Sequence, residues 1–252
     1  MGSWKNVVED IGPSFLRQLD RLDKDVTTNT TTNKSLSLQT NTPPAIKVQL
    51  NTGGGSFPWH YDNPGPPNHR KLTAVVYLNP NWSEAGVHMS EGDGGEIVLC
   101  PFLSKSIVIP PLHRRAVFFY SDRVLHRVLP SKVKRVCFTM WFNGSDVNTK
   151  EDVVLSKEHL KFSSYDDAQC FFTRSPLQRV ISRAVYADEY LESLLQCIGS
   201  NNPTSNDDGD VSTEDRHKVI KQHEASVQGI LSKLRPLIDE FRRRKDSLSA
   251  SG

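Results

Sequence analysis

Paired cysteines, long apolar runs and a lopsided charge are all missing from this chain. The 252 residues hold four cysteines, Cys100, Cys137, Cys170 and Cys197, with no C-x-x-C spacing. That scatter speaks against a disulfide framework and for reduced thiols. No run approaches the roughly 18 apolar residues of a membrane span. The opening Met-Gly-Ser-Trp-Lys-Asn leads into a polar amphipathic stretch rather than an apolar signal core. Charge is nearly balanced, 31 basic against 29 acidic residues for a net +2, so nothing global argues for nucleic acid or an anionic membrane. We therefore expect a cytosolic or nuclear protein with no nucleic-acid or membrane partner.

What is present divides into three expected parts. Residues 1–44 hold apolar residues at helical spacing, Val7, Val8, Ile11, Phe15, Leu16, Leu19 and Leu22, interrupted at Pro13. A Thr/Asn-rich linker at 27–42 follows, too polar to build a core. Residues 45–146 are the expected main domain. Short runs of β-branched and aromatic residues alternate there with Gly, Pro and Asn clusters. Eight strands are predicted: 46–50, 59–62, 72–78, 96–101, 106–109, 116–120, 126–129 and 135–142. That spacing suggests an all-β barrel or double-sheet jelly roll. Residues 84–93 read as an exposed insertion. Residues 147–252 are the expected helical extension, with one apolar stripe from Leu177 to Leu195 and another across about 212–248, separated by a polar loop near 199–211. The basic run Arg242 to Lys245 reads as a solvated helix end. The stripes could cover the barrel or a partner.

Chemistry concentrates in 57–144. His60 and Asp62 form a His-x-Asp pair, and His126 and Arg135 follow. With 8 histidines and 29 acidic residues, about one His-x-acid is expected by chance, so the pair means something only through its surroundings. Alternation on a strand would send His60 and Asp62 to one face, and a barrel would let His126 converge on them. Two imidazoles and one carboxylate can hold Fe(II) while leaving three positions open. Arg135 opens the apolar run VCFTMWF, where an uncompensated guanidinium is costly. It wants a carboxylate, and no neighbour in sequence supplies one. A dicarboxylic co-substrate would. The bland alternative makes His60 and Arg135 surface residues and His126 a core histidine.

The strings HYDN, VVYLNPNW, GGEIVLCPF, FFYSDRVLHRVLP and RVCFTMWF resemble the catalytic core of 2-oxoglutarate and Fe(II)-dependent dioxygenases, in particular the prolyl 4-hydroxylase group that includes the hypoxia-inducible-factor prolyl hydroxylases. The resemblance covers about a third of the chain. It implies a double-stranded β-helix, a jelly-roll or cupin-like core with helices packed outside. It implies that His60, Asp62 and His126 bind iron and that Arg135 pairs with the distal carboxylate of 2-oxoglutarate. Tyr77 would reach the same carboxylate, and Thr139 and Trp141 would line the pocket. Dioxygen is then a co-substrate and ascorbate the expected reductant. The implied reaction is hydroxylation of a C–H bond, foremost peptidyl-proline 4-hydroxylation of a protein. Alternatives are a small-molecule or non-prolyl hydroxylase and a catalytically silent scaffold working through its C-terminal helices. Asp62 disfavours halogenation, because halogenating relatives lack that carboxylate. Trp141 stands where nucleic-acid demethylases carry a second arginine. Substrate and oligomeric state are not readable from these strings.

Overall fold

The computed structural model describes residues 38–39, 42–51, 54–79, 94–145, 155, 161–200 and 213–250. The expected helix at 3–24, nearly all of the Thr/Asn-rich linker, the insertion at 84–93 and most of the 199–211 loop lie outside the described residues.

All eight expected strands form: β1 (Ala45–Asn51), β2 (Phe57–His60), β3 (Arg70–Tyr77), β4 (Ile97–Pro101), β5 (Ile107–Ile109), β6 (Ala116–Tyr120), β7 (Val124–Val128) and β8 (Arg135–Asn143). They build two antiparallel four-stranded sheets, one in the order β1-β8-β3-β6 and the other β2-β7-β4-β5. The chain crosses repeatedly between the sheets, which is the double-stranded β-helix arrangement. Alternation along the strands sorts side chains to the two faces. Val75, Tyr77, Ile97, Leu99, Val117, Phe119 and Cys137 cluster between the sheets. Leu72, Ala74 and Phe142 form a smaller cluster with Leu38, Tyr120 and Met140 on the outer face of the first sheet.

One expectation is corrected here. β2 ends at His60, and Asp62 lies in the bend beyond it. Strand alternation therefore does not bring Asp62 to His60; the turn does. That turn is built by Asn63, whose backbone N–H donates to Ser121 O at 2.9 Å and whose side-chain carbonyl accepts from Gly65 N at 2.9 Å.

Beyond Gly144 the helices are α1 (Tyr165–Arg174), α2 (Gln178–Val185), α3 (Ala187–Ser200) and α4 (Thr213–Ala250). The apolar stripe from Leu177 to Leu195 spans two helices, because Tyr186 leaves helical geometry at φ −108°, ψ 40°. Helix α1 was not expected, although its start signal is in the sequence: Ser164 caps it by accepting from Asp167 N, and Asp166 and Asp167 occupy the first turn. Helix α4 kinks at Leu234, two residues before Pro236, whose ring and missing N–H disrupt the helical ladder.

The helices cover the second sheet. Cys100, Phe102 and Leu103, from β4 and the turn after it, and Leu125 from β7 share one buried cluster with Ala168, Phe172, Leu177, Ile181, Tyr186, Tyr190, Leu231, Ile238 and Phe241. The basic run also serves this packing. Arg242 Nε donates to Ala184 O at 2.9 Å, Arg244 pairs with Asp166 at 2.6 Å, and Lys245 pairs with Glu189 at 2.7 Å. The run binds helix to helix, in contrast to the solvated helix end expected from its charge.

Candidate active site

β2 and β7 are neighbours, and their register sets His60 opposite His126. The two rings lie 4.2 Å apart between centroids. Each imidazole contacts a backbone carbonyl through Nδ1: His60 meets Pro58 O at 2.8 Å, and His126 meets Val124 O at 3.2 Å. A carbonyl can only accept, so each Nδ1 donates, and in the neutral ring Nε2 is the nitrogen that keeps its lone pair. Both lone pairs point toward Asp62. His60 Nε2 is 3.6 Å from one carboxylate oxygen and His126 Nε2 is 3.7 Å from the other. Those separations are long for hydrogen bonds and leave a centre between three donors. One ligand atom from each of the three residues falls within a 4.8 Å set.

The electrostatics keep these donors available. Burial presses the His126 imidazolium down to about 4, with repulsion from His60 adding to it, so His126 is neutral at ordinary pH. Burial alone would raise Asp62. The adjacent imidazoles and the Thr73 hydroxyl outweigh it and hold the carboxyl well below the usual range. Thr73 was missed in the sequence reading. Its Oγ1 donates to Asp62 Oδ2 at 2.6 Å and pairs with Ser121 Oγ at 2.8 Å, and both hydroxyl residues are fully buried. The Thr73 proton goes to the carboxylate, so Ser121 donates to Thr73, and the chain of bonds ends on Asp62. Its inward alternation on β3 was the available signal.

Arg135 is 1% exposed, which removes the surface alternative. Its Nε donates to Gly95 O at 2.8 Å. The guanidinium also faces Cys137 Sγ at 3.2 Å, Asn51 Oδ1 at 3.5 Å and the Tyr77 hydroxyl at 3.5 Å. Among the described residues no carboxylate comes within ion-pair distance of it. The Gly94-Gly95 pair makes the approach of this carbonyl feasible. Both have positive φ, a Cβ on Gly94 would lie 1.7 Å from Pro130 O, and one on Gly95 would lie 3.2 Å from Arg135 Cδ. Thr139 is buried beside Arg135 and Cys137 on the inward face of β8 and donates to Gln49 Oε1 at 3.2 Å. The same Gln49 oxygen accepts from the Cys137 thiol at 3.6 Å. Gln49, Asn51 and Cys137 were also missed; their signal is the period of two along β1 and β8. Trp141 lies farther along β8, and the Arg70 guanidinium stacks 4.0 Å above its ring while donating to Asp62 O at 3.3 Å. The seven residues singled out in the sequence thus all belong to one region between the sheets and at its rim.

No curated protein matches the sequence significantly. The profile described as the 2OG-Fe(II) oxygenase superfamily matches residues 46–143. Among solved structures, a prolyl 4-hydroxylase from Phytophthora capsici is similar with 35% identity and a TM-score of 0.64, over 96% of this chain and 75% of that one. The chain belongs to the 2OG-Fe(II) oxygenase superfamily, in its prolyl 4-hydroxylase group. A prolyl-4-hydroxylase from Pseudomonas putida is 27% identical at a TM-score of 0.38, over 51% of this chain and 63% of that chain. A Trichoplax adhaerens prolyl hydroxylase in complex with a hypoxia-inducible-factor peptide is 26% identical at 0.37, over 52% and 55%. Both superpose too loosely for their details to transfer.

Membership implies Fe(II) as the cofactor of this oxygenase, with 2-oxoglutarate and dioxygen as its co-substrates. The side chains fit that requirement. Two free Nε2 lone pairs and one carboxylate are the N/O donor set that suits Fe(II). The buried guanidinium, with a hydroxyl beside it and no counter-charge among the described residues, suits a dicarboxylate.

Proposed function

We propose that this oxygenase hydroxylates prolyl residues of a protein substrate, with His60, Asp62 and His126 as the iron ligands and Arg135 as the anchor of 2-oxoglutarate. The observation that carries this reading is the near-complete burial of Arg135, without a counter-ion among the described residues, at the floor of the interior that also holds the triad. A buried cation left unpaired by its own chain is costly, and a ligand carboxylate relieves that cost. When bound, the iron couples dioxygen reduction to oxidation of 2-oxoglutarate into succinate and carbon dioxide, with one oxygen atom entering the substrate C–H bond.

The protein's part is positioning and exclusion of water. The Nδ1–H bonds to Pro58 O and Val124 O fix both imidazole planes, and Thr73 fixes the carboxylate. Arg135 and Tyr77 receive the distal carboxylate. Burial raises the Tyr77 phenol above its ordinary value, although Arg135 pulls the other way, so it stays a neutral donor. Thr139 lines the same pocket, and Trp141 closes its rim under Arg70. A prolyl substrate is supported by the 35% identity to the Phytophthora capsici enzyme across three quarters of that enzyme. A cytosolic or nuclear protein substrate accords with four free thiols.

Incubation with Fe(II), 2-oxoglutarate, ascorbate as the proposed reductant and a library of proline-containing peptides should yield succinate together with peptides heavier by one oxygen. Fragment spectra should place that oxygen on proline. Oxidation confined to free small molecules, or to residues other than proline, would replace the prolyl reading with the broader hydroxylase one.

A further inference from the structure

The residue between the first two proposed ligands points the other way. Tyr61 leaves the site and enters the helical cluster on the outer face of the second sheet. Its hydroxyl lies 2.7 Å from Ser182 Oγ on α2. Ser182 spends its own proton on Gln178 O at 2.7 Å, so Tyr61 is the donor and Ser182 the acceptor. Gln178 Oε1 stands by at 3.4 Å as a second acceptor, and both α2 residues are fully buried. The other flank of His60 is tied in the same way. Trp59 N, on the free edge of β2, donates to Ser193 Oγ of α3 at 3.1 Å, and Ser56 Oγ meets Cys197 Sγ of α3 at 3.1 Å. His126 too has both neighbours outside: Leu125 is 1% exposed within the helical cluster, and Arg127 reaches Gln196 of α3.

Inward alternation therefore delivers the histidines to the site, while outward alternation delivers their neighbours to α2 and α3. Asp62 gains nothing from strand pairing, since it stands past the end of β2. Tyr61 is its covalent neighbour and the last side chain anchored before the bend.

We propose that the C-terminal helices are a positioning part of the metal centre, and that Tyr61 is the positioning residue through which α2 holds the His60–Asp62 turn. This rests on the assignment of His60, Asp62 and His126 as metal ligands. It gives the hundred residues after the barrel a role in the same site. It also predicts reciprocity: if α2 holds the ligand turn, then metal in the site must steady α2.

The test uses the full-length chain and Co(II) as an optical probe. Wild-type protein, Tyr61→Phe, Ser182→Ala and the double variant are titrated with Co(II), following its visible absorption. Ile238→Val serves as control, since it loosens the same cluster without touching the turn. We expect each single variant to bind Co(II) about tenfold more weakly with an altered spectrum, the typical cost of losing an outer partner of a ligand. The double variant should be no worse than either single one, because both remove the same bond. Ile238→Val should lower the urea midpoint and leave Co(II) affinity and spectrum unchanged. Hydrogen exchange of the wild-type chain with and without Co(II) covers the case of a variant that does not fold; amides of Gln178–Val185 should exchange more slowly in the loaded form. Wild-type affinity and spectrum in Tyr61→Phe, or exchange in α2 indifferent to metal, would overturn the proposal while leaving the triad intact. A wild-type chain that fails to bind Co(II) would instead overturn the ligand assignment beneath it.

Discussion

The two ends of the interior solve the problem of buried polarity in opposite ways. At the triad end the chain completes itself: both imidazoles have backbone partners and Asp62 has a hydroxyl donor. At the Arg135 end the chain supplies a carbonyl, an amide oxygen, a sulfur and a phenol, yet no negative charge among the described residues. A self-completed cluster of donors holds its shape without a ligand. An uncompensated cation keeps part of its interaction energy for a ligand. The difference separates a centre built to be rigid from a pocket built to be filled.

The strongest way to break the comparison is at the triad. His126→Ala and Asp62→Ala should each abolish detectable Fe(II) binding and succinate formation, a larger loss than the ~100-fold upper range for outer partners of a ligand. Calorimetric metal titration beside a succinate assay reads both quantities. Retained turnover in either variant would move the metal elsewhere.

Arg135→Met sharpens the contrast because its two effects should differ in size. Losing the charge partner of a carboxylate costs about 2–5 kcal/mol, so kcat/KM for 2-oxoglutarate should fall by roughly 30-fold or more. Removing a buried charge that has no counter-ion among the described residues should leave the ligand-free protein about as stable as before, because the relieved desolvation cost offsets the lost bonds to Gly95 O and Asn51 Oδ1. Chemical denaturation of the metal-free, co-substrate-free chain gives the second number. A marked loss of stability would mean that Arg135 is held for structure rather than for a ligand.

Thr73→Val keeps the volume of the side chain and deletes the donor to Asp62. We expect metal affinity to weaken by about tenfold, with partial recovery in Thr73→Ser. An unchanged affinity would show that the bend alone orients the carboxylate.

The last effect concerns pH. His126 in the fold ionises near 4 rather than at the ordinary 6.5, so its contribution to stability is complete above pH 6.5 and is lost as pH falls toward 4. The metal-free protein should therefore show a falling urea midpoint from pH 7 to pH 5, and His126→Gln should flatten that slope.

Most of the barrel was legible because its strands obey a period of two between strong turn signals, and each of the eight appears within a few residues of its expected place. The site was legible where a residue type is expensive without a purpose, as with Arg135 in an apolar run. Thr73, Gln49, Asn51 and Cys137 were illegible because they are ordinary strand residues until a neighbouring strand gives them a partner. The helical region was read least well. A stripe of apolar residues does not reveal the break at Tyr186, and α1 went unread despite the Ser164 cap. Asp62 shows the opposite failure: its side chain belongs to the site, yet the strand argument that put it there does not hold.

The sequence by itself determined the donor types, their order along the chain and the alternation that splits each strand between two environments, because these are local properties of residue chemistry and backbone period. Only the tertiary structure decided that His60 stands opposite His126, that Asp62 is delivered by a bend tied to Ser121, and that Tyr61 is anchored in α2. Those relations join residues up to 121 positions apart. Register and packing fix such separations, and no local pattern records them.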